Sequence, residues 1–176
     1  MKKTTLTLFL LGVLSTQTLY ATSNTQSIGD VLAGAIPIVA YGTTLYLNDK
    51  EGQIQFYKSY GTNVIATTLL KYTVREKRPD SNEKDSFPSF HTSSAFSGAS
   101  FIHKRYGLSY AIPAYIGAVY TGYSRVHSNR HHTQDVVAGA VLGMASSWYF
   151  VTDYKGVQIQ PMVGTKYNGV TLSYNF

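Results

Sequence analysis

Val136-Val-Ala-Gly-Ala-Val-Leu-Gly-Met-Ala-Ser-Ser-Trp-Tyr-Phe-Val-Thr152 carries no charge and no alternation of polar and apolar residues. A run of this length exceeds an ordinary strand, so it reads as a helix. Four further uncharged segments behave the same way: residues 31–48, 61–70, 92–102 and 107–123. Polar connections separate them at 48–52, 80–85 and 103–107, and Asp153-Tyr-Lys-Gly156 closes the last. The pattern predicts an all-α fold, a bundle of about five core helices, with a kink at Pro37.

Both ends of the chain differ from this middle. Lys2 and Lys3 precede an apolar stretch from Leu6 to Leu14, and Leu19-Tyr20-Ala21 follows as a cleavage site, the layout of an export signal over residues 1–21. The alternative is an uncleaved first membrane helix. Either reading places the functional face outside the cytoplasm, in a periplasm. At the other end, residues 157–162 and 169–176 alternate, and Tyr167-Asn168-Gly169 between them is a turn signal. The domain reading is therefore 1–21 signal, 22–153 helical domain and 154–176 C-terminal β-hairpin. A chain ending in Phe176 resembles the last strand of an outer-membrane barrel, but one hairpin cannot close a barrel of about eight strands.

The 176 residues suit one domain with one core. Cysteine is absent, which excludes disulfides and thiolate metal sites. A net charge of +6 favours anionic partners such as phosphate esters or anionic lipid. No basic run and no nucleic-acid motif accompanies that charge, so nucleic-acid binding is not expected. Mean hydropathy is −0.09, and the segments are short as membrane spans, which suits a soluble bundle with membrane association. The competing topology is an integral inner-membrane protein of six helices, with Lys2-Lys3 and His103-Lys104-Arg105 inside and the motif ends outside.

Three stretches carry chemistry. Lys71-Tyr-Thr-Val-Arg-Glu-Lys-Arg78-Pro79 brings two cations to a helix end and a turn. Arginine suits bidentate phosphate contacts and stays charged. Alone, this stretch reads equally well as a solvated basic face. Pro88-Ser89-Phe90-His91 reads as a turn opening a helix, with Ser89 capping the N–H of His91 or Thr92. Helix N-termini attract phosphate, and His91 at the rim can protonate a departing oxygen. In Ser124-Arg125-Val-His-Ser-Asn-Arg-His131-His-Thr-Gln-Asp135, His131 and Asp135 are four apart. On a helix they would share a face, so the carboxylate orients the ring and frees its other nitrogen as a nucleophile. His132 is the rival for that carboxylate, and Arg125 adds a third cation.

Taken jointly and in order, K-x6-R-P, P-S-x-H and S-R-x5-H-x3-D resemble the type 2 phosphatidic acid phosphatase superfamily. That superfamily also holds bacterial non-specific acid phosphatases and vanadium haloperoxidases. The resemblance spans residues 71–143. It implies that Lys71, Arg78 and Arg125 bind phosphate, that Ser89 hydrogen-bonds a phosphate oxygen, and that His131 is the nucleophile oriented by Asp135. It implies that His91 is the acid for the leaving group, that Ser124 is structural, and that no metal or other cofactor is needed. Two positions depart from the pattern. Phe90 stands where glycine is usual, which predicts strain if the backbone is left-handed there and an apolar pocket mouth. Asn129 stands at another frequent glycine, where asparagine tolerates left-handed geometry.

The implied activity is hydrolysis of phosphate monoesters, with lipid phosphates or pyrophosphates favoured and soluble phosphomonoesters the alternative. A vanadium haloperoxidase is disfavoured by the chain's small size. A metal module built on His127, His131 and Asp135 at helical spacing is disfavoured by the arginines beside it. A non-catalytic outer-membrane interaction protein is disfavoured by the complete catalytic set.

Overall fold

The computed structural model describes residues 24–154, 157–163 and 168–174. The predicted signal over 1–21 lies outside them. Five helices make up the bundle among the described residues: α1 (Asn24–Tyr46), α2 (Lys50–Val74), α3 (Phe90–Tyr106), α4 (Leu108–His127) and α5 (Thr133–Phe150). The all-α expectation holds for this part. Val157–Val163 (β1) pairs antiparallel with Asn168–Tyr174 (β2), Val163 opposite Asn168. Asn168 and Gly169 are thus ladder residues and not the turn their dipeptide predicted; the link at 164–167 lies outside the described residues.

Helix α2 is far longer than the predicted 61–70. Asp49 caps it by accepting from the Gly52 N–H at 2.9 Å, so the polar stretch 48–52 both separates α1 from α2 and supplies the first turn of α2. Its far end closes at Arg75, which adopts a left-handed φ of 53° and returns its N–H to the Lys71 carbonyl. Gly107, with φ of 105°, provides the sharp link from α3 to α4.

Helix α3 lies at the centre and touches the other four. Close approaches to its neighbours depend on glycine. A Cβ on Gly98 would fall 2.8 Å from the Pro37 nitrogen of α1, and one on Gly143 of α5 would fall 2.3 Å from the Ser93 carbonyl oxygen.

The polarity of the bundle is inverted. Along the seam between helices, Ser93, Ser94, Ser97, Ser100, Asn63, Thr67 and Ser147 are buried. They bond one another, backbone carbonyls or a tyrosine hydroxyl: Ser94 donates to Ala33 O at 2.8 Å, Ser147 donates to Ser97 O at 2.9 Å, and Ser100 pairs with the Tyr115 hydroxyl at 3.0 Å. Facing outward are Val31, Ile38 and Val39 of α1, Ile65 and Leu69 of α2, Ile112, Ile116 and Val119 of α4, and Val137 and Val141 of α5. Two small apolar clusters complete the interior, one around Phe56, Phe101 and Tyr106, the other around Ile36, Ala95, Ala99 and Ala118.

The up-and-down order brings the starts of α1, α3 and α5 and the ends of α2 and α4 to one end. The opposite end is fastened by an ion pair. Arg105, buried, grips Asp49 through two bonds of 2.6 and 2.8 Å and also donates to the carbonyls of Thr152 and Asp153 just beyond α5.

Candidate active site

At the first end, His131 and Asp135 meet, though not as two residues on one helical face. His131 precedes α5; His132 is its N-cap, and Asp135 occupies the third helical position. The Asp135 carboxylate bends back to accept the His132 N–H at 2.8 Å, closing a capping box. The same oxygen, Oδ2, lies 3.5 Å from His131 Nδ1 and accepts from Ser86 Oγ at 2.5 Å. Ser86 Oγ is itself 3.4 Å from His131 Nδ1, so it bridges ring and carboxylate. Asn129, with φ of 53°, makes the left-handed turn that returns the chain after α4, as its residue type allows.

His132 lies equally near that carboxylate, 3.4 Å away, but its ring is half exposed, whereas His131 is buried. Burial pushes the His131 imidazole down to about 3, assisted by the charges of Arg78, Lys71 and His91 and opposed by Asp135. His131 is therefore neutral at ordinary pH. With Nδ1 turned to the carboxylate, its Nε2 keeps a lone pair for attack on phosphorus.

The cations arrive from α2 and the following loop. Arg78 forms a two-pronged pair with Asp85, at 2.6 and 3.0 Å, which raises the arginine and holds the Asp85 carboxyl below the usual range. Lys71, in the last turn of α2, donates to the backbone carbonyl of the same Asp85. Lys71 and Arg78 are thus half-buried and organised, while Arg75 and Lys77 of the same stretch face solvent.

Helix α3 contributes Ser89 and His91. Ser89 is its N-cap and accepts from the Thr92 N–H at 3.5 Å, while its own N–H donates to the Asp135 carbonyl at 2.9 Å. That last bond ties the starts of α3 and α5 together. A Cβ on Gly139 would fall 2.5 Å from the Ser89 carbonyl, so glycine sets this approach. Phe90 is the first helical residue and lacks the positive φ that its position suggested, so it is not strained.

Arg125, from the end of α4, is buried and uses three of its five N–H donors within the protein. It donates to Asp30 Oδ1 at 2.7 Å, to Gln26 O at 2.8 Å and to Ser124 Oγ at 3.1 Å. Ser124 packs where Gly29 leaves room for it, since a Cβ there would fall 1.9 Å away. His91 Nε2 lies 3.1 Å from the same Asp30 Oδ1.

All seven residues singled out in the sequence therefore sit at this end: Lys71, Arg78, Ser89, His91, Arg125, His131 and Asp135. The assembly can hold a tetrahedral anion between three cations and a helix N-terminus, with a neutral imidazole on one side and a second imidazole at the rim. Three contributors escaped sequence reading: Asp30, Asp85 and Ser86. Asp85 ends the polar connection 80–85, Ser86 follows it and Asp30 immediately precedes the uncharged segment 31–48, and none has a spacing that marks it. The proposed row of His127, His131 and Asp135 does not form, because His127 ends α4 and His131 lies off any helix. Among the described residues, Glu76, His132 and Asp135 instead bring ligand atoms within 4.8 Å of one another. The capping box and the Gln134 contact to Glu76 at 2.6 Å account for that grouping.

The PAP2 superfamily matches residues 54–158. A lipid A 1-phosphatase of Porphyromonas gingivalis is 38% identical over 88 residues, 47% of this chain and 20% of that protein, so the chain spans about a fifth of that relative's length. A lipid A 4'-phosphatase of Helicobacter pylori is 29% identical over 157 residues, 82% of this chain and 79% of that protein. Among solved structures, Aquifex aeolicus LpxE superposes with a TM-score of 0.62 at 20% identity, covering 82% of this chain and 92% of that one, a likeness of fold.

Proposed function

The chain belongs to the PAP2 superfamily, and on that premise we propose that it is a metal-independent phosphatase of lipid phosphate monoesters. The observation that carries this reading is the convergence of a neutral, buried His131 with Lys71, Arg78 and Arg125 at one end of a bundle whose outer surface is apolar. The cations supply the charge stabilisation that phosphoryl transfer demands. Lipid A is the substrate named for the two curated relatives, and a phosphorylated glycolipid is the class we assign here.

The reaction has two steps. Phosphate docks against Lys71, Arg78, Arg125 and the Ser89 end of α3. His131 Nε2 attacks phosphorus in line; the P–N bond forms as the P–O bond to the lipid breaks, and His91 gives its proton to the departing oxygen. Water, losing a proton to His91, then displaces His131 and releases orthophosphate. Asp135 and Ser86 hold the His131 ring throughout.

The outward Val, Ile and Leu side chains support a lipid-embedded bundle, and α1 is long and apolar enough to cross a membrane. The chain's mean hydropathy of −0.09 is low because polar residues are turned inward, which favours the integral topology over a soluble one. Within the division proposed from sequence, residues 22–153 form the catalytic unit, 1–21 an export or anchoring segment and 154–176 a β tail. The site faces the periplasm in this reading. A cysteine placed at exposed Arg75, in a chain otherwise free of cysteine, should be labelled in intact cells by a maleimide too polar for the inner membrane.

The test is orthophosphate release with chelator present, by the full chain and by His131→Ala, from lipid A or phosphatidic acid in mixed micelles and from a soluble phosphomonoester. Release from lipid that disappears in His131→Ala, and that low-micromolar vanadate blocks as a transition-state mimic, is the expected result. Preference for the soluble ester would make it a scavenging phosphatase. Equal release by both proteins would overturn the phosphatase reading.

A further inference from the structure

Asp30 lies outside both the sequence motifs and the matched segment, yet one of its oxygens joins two of the site's working groups. Oδ1 accepts from Arg125 Nη1 at 2.7 Å and stands 3.1 Å from His91 Nε2. We infer that Asp30 is a positioning residue, fixing the leaving-group acid His91 and the phosphate-binding Arg125 as one unit. The inference rests on the phosphatase reading above and deepens it.

The local packing explains why α1 can do this. Gly29 lets the helix approach Ser124 and the Arg125 guanidinium, so the adjacent carboxylate meets Arg125 at its end-on nitrogen. The Gln26 carbonyl, one turn earlier, takes Nη2. With Nε held by Ser124, the guanidinium is fixed in its plane before any substrate arrives. Preorganised donors cost no reordering when phosphate binds.

Charge gives a second reason. Asp85 offsets Arg78 and Lys71, and Asp135 stands by His131. Arg125 and His91 would otherwise be two cationic groups side by side whenever His91 carries the proton it must donate. Asp30 from α1 meets His91 directly, Arg125 from α4 shares the same Oδ1, and the charge of His91 reaches His131 in the segment before α5. Asp30 is the carboxylate among them. When His91 passes its proton to the leaving oxygen, Asp30 changes neither protonation nor bonding; it holds the ring until the P–O bond breaks.

A residue acting through His91 should matter most where the leaving group needs a proton. The experiment measures kcat/KM of the full chain in detergent on two esters, a short-chain phosphatidic acid and p-nitrophenyl phosphate, for wild type, Asp30→Asn, Asp30→Glu and His131→Ala. In Asp30→Asn, both values should fall through the loosened Arg125, and the phosphatidic acid value should fall about tenfold further. Asp30→Glu, which keeps the charge but moves it, should give a smaller loss of the ratio between the two esters. A merely structural role would lower both esters equally. An unchanged ratio in Asp30→Asn, or in Asp30→Glu should Asp30→Asn not fold, overturns the inference while an active wild type leaves the phosphatase reading standing. Wild-type release no greater than that of His131→Ala on both esters overturns the reading and the inference together.

Discussion

Replacing Gly139 by alanine should damage catalysis from a position that touches no substrate. A Cβ at Gly139 would lie 2.5 Å from the Ser89 carbonyl oxygen and 3.3 Å from the Ser93 nitrogen. Ordinary contact begins near 3.4 Å, and the obstructing atom is backbone, so α5 must retreat from α3 by about 1 Å. That movement stretches the 2.9 Å bond from the Ser89 N–H to the Asp135 carbonyl and carries Asp135 and His131 away from the phosphate site. A displacement of about 1 Å in a reacting group costs on the order of a hundredfold in rate. Overpacking of this kind lowers stability by about 1–3 kcal/mol. The assay compares kcat/KM for phosphate release and the thermal midpoint of Gly139→Ala with those of Gly61→Ala. Gly61 lies in α2 with nothing within 4 Å of its virtual Cβ, so alanine there should be neutral or stabilising by up to about 1 kcal/mol. Gly139→Ala with activity within threefold of wild type and an unchanged midpoint would refute the reasoning that this helix contact sets the geometry of the site.

Ser86→Ala removes the hydroxyl that donates to buried Asp135 Oδ2, a bond to a charged acceptor worth about 1.5–3 kcal/mol. Activity should drop between tenfold and a hundredfold, measured as kcat/KM; a value within twofold of wild type would remove Ser86 from the site. Acid should destabilise the fold through His131. Its native imidazole titrates near about 3, whereas an unfolded histidine takes its proton near about 6.5. The unfolded chain thus binds the extra proton between these values, and stability present above about pH 6.5 is lost as pH falls toward about 3. The slope of unfolding free energy against pH over that window should become shallower, by up to one proton, in His131→Gln. Arg105→Ala should cost about 3–5 kcal/mol, because it strands Asp49 in the interior. Phosphatase activity per folded molecule should survive, since that pair is at the end away from the chemistry.

The helices that were readable in the sequence were those whose uncharged stretch and helical extent coincide. The segment 136–152 became Thr133–Phe150, and 107–123 became Leu108–His127. Helix α2 was half missed because Lys50 and Glu51 read as part of the connection 48–52, and Gln53, Gln55 and Lys58 break the apolar pattern up to residue 60. Apart from Phe56, its inward positions are Gly52, Gln55, Ser59, Asn63 and Thr67, so the usual apolar stripe was absent from the buried side. Motif residues were legible since their order and spacing are fixed by one stretch of chain. Their partners were not. Asp30 reaches Arg125 across 95 positions and Ser86 reaches Asp135 across 49, and contacts of that separation leave no local period. His131 and Asp135 were paired correctly for a reason that did not hold: the capping box of α5, rather than a shared helical face, brings them together.

The serine seam has a consequence for anyone who wishes to handle this protein in water. The chemistry and the packing that supports it lie inside a layer of outward Val, Ile and Leu residues that contribute nothing to the catalytic groups. The side chains of Val31, Ile38, Ile116 and Val119 are exposed and take no part in the bonds of the seam or the site, so glutamate or lysine at these positions should leave those bonds in place. If that layer meets lipid, as proposed above, repainting the outer positions of α1, α2, α4 and α5 should give an active protein that needs no detergent.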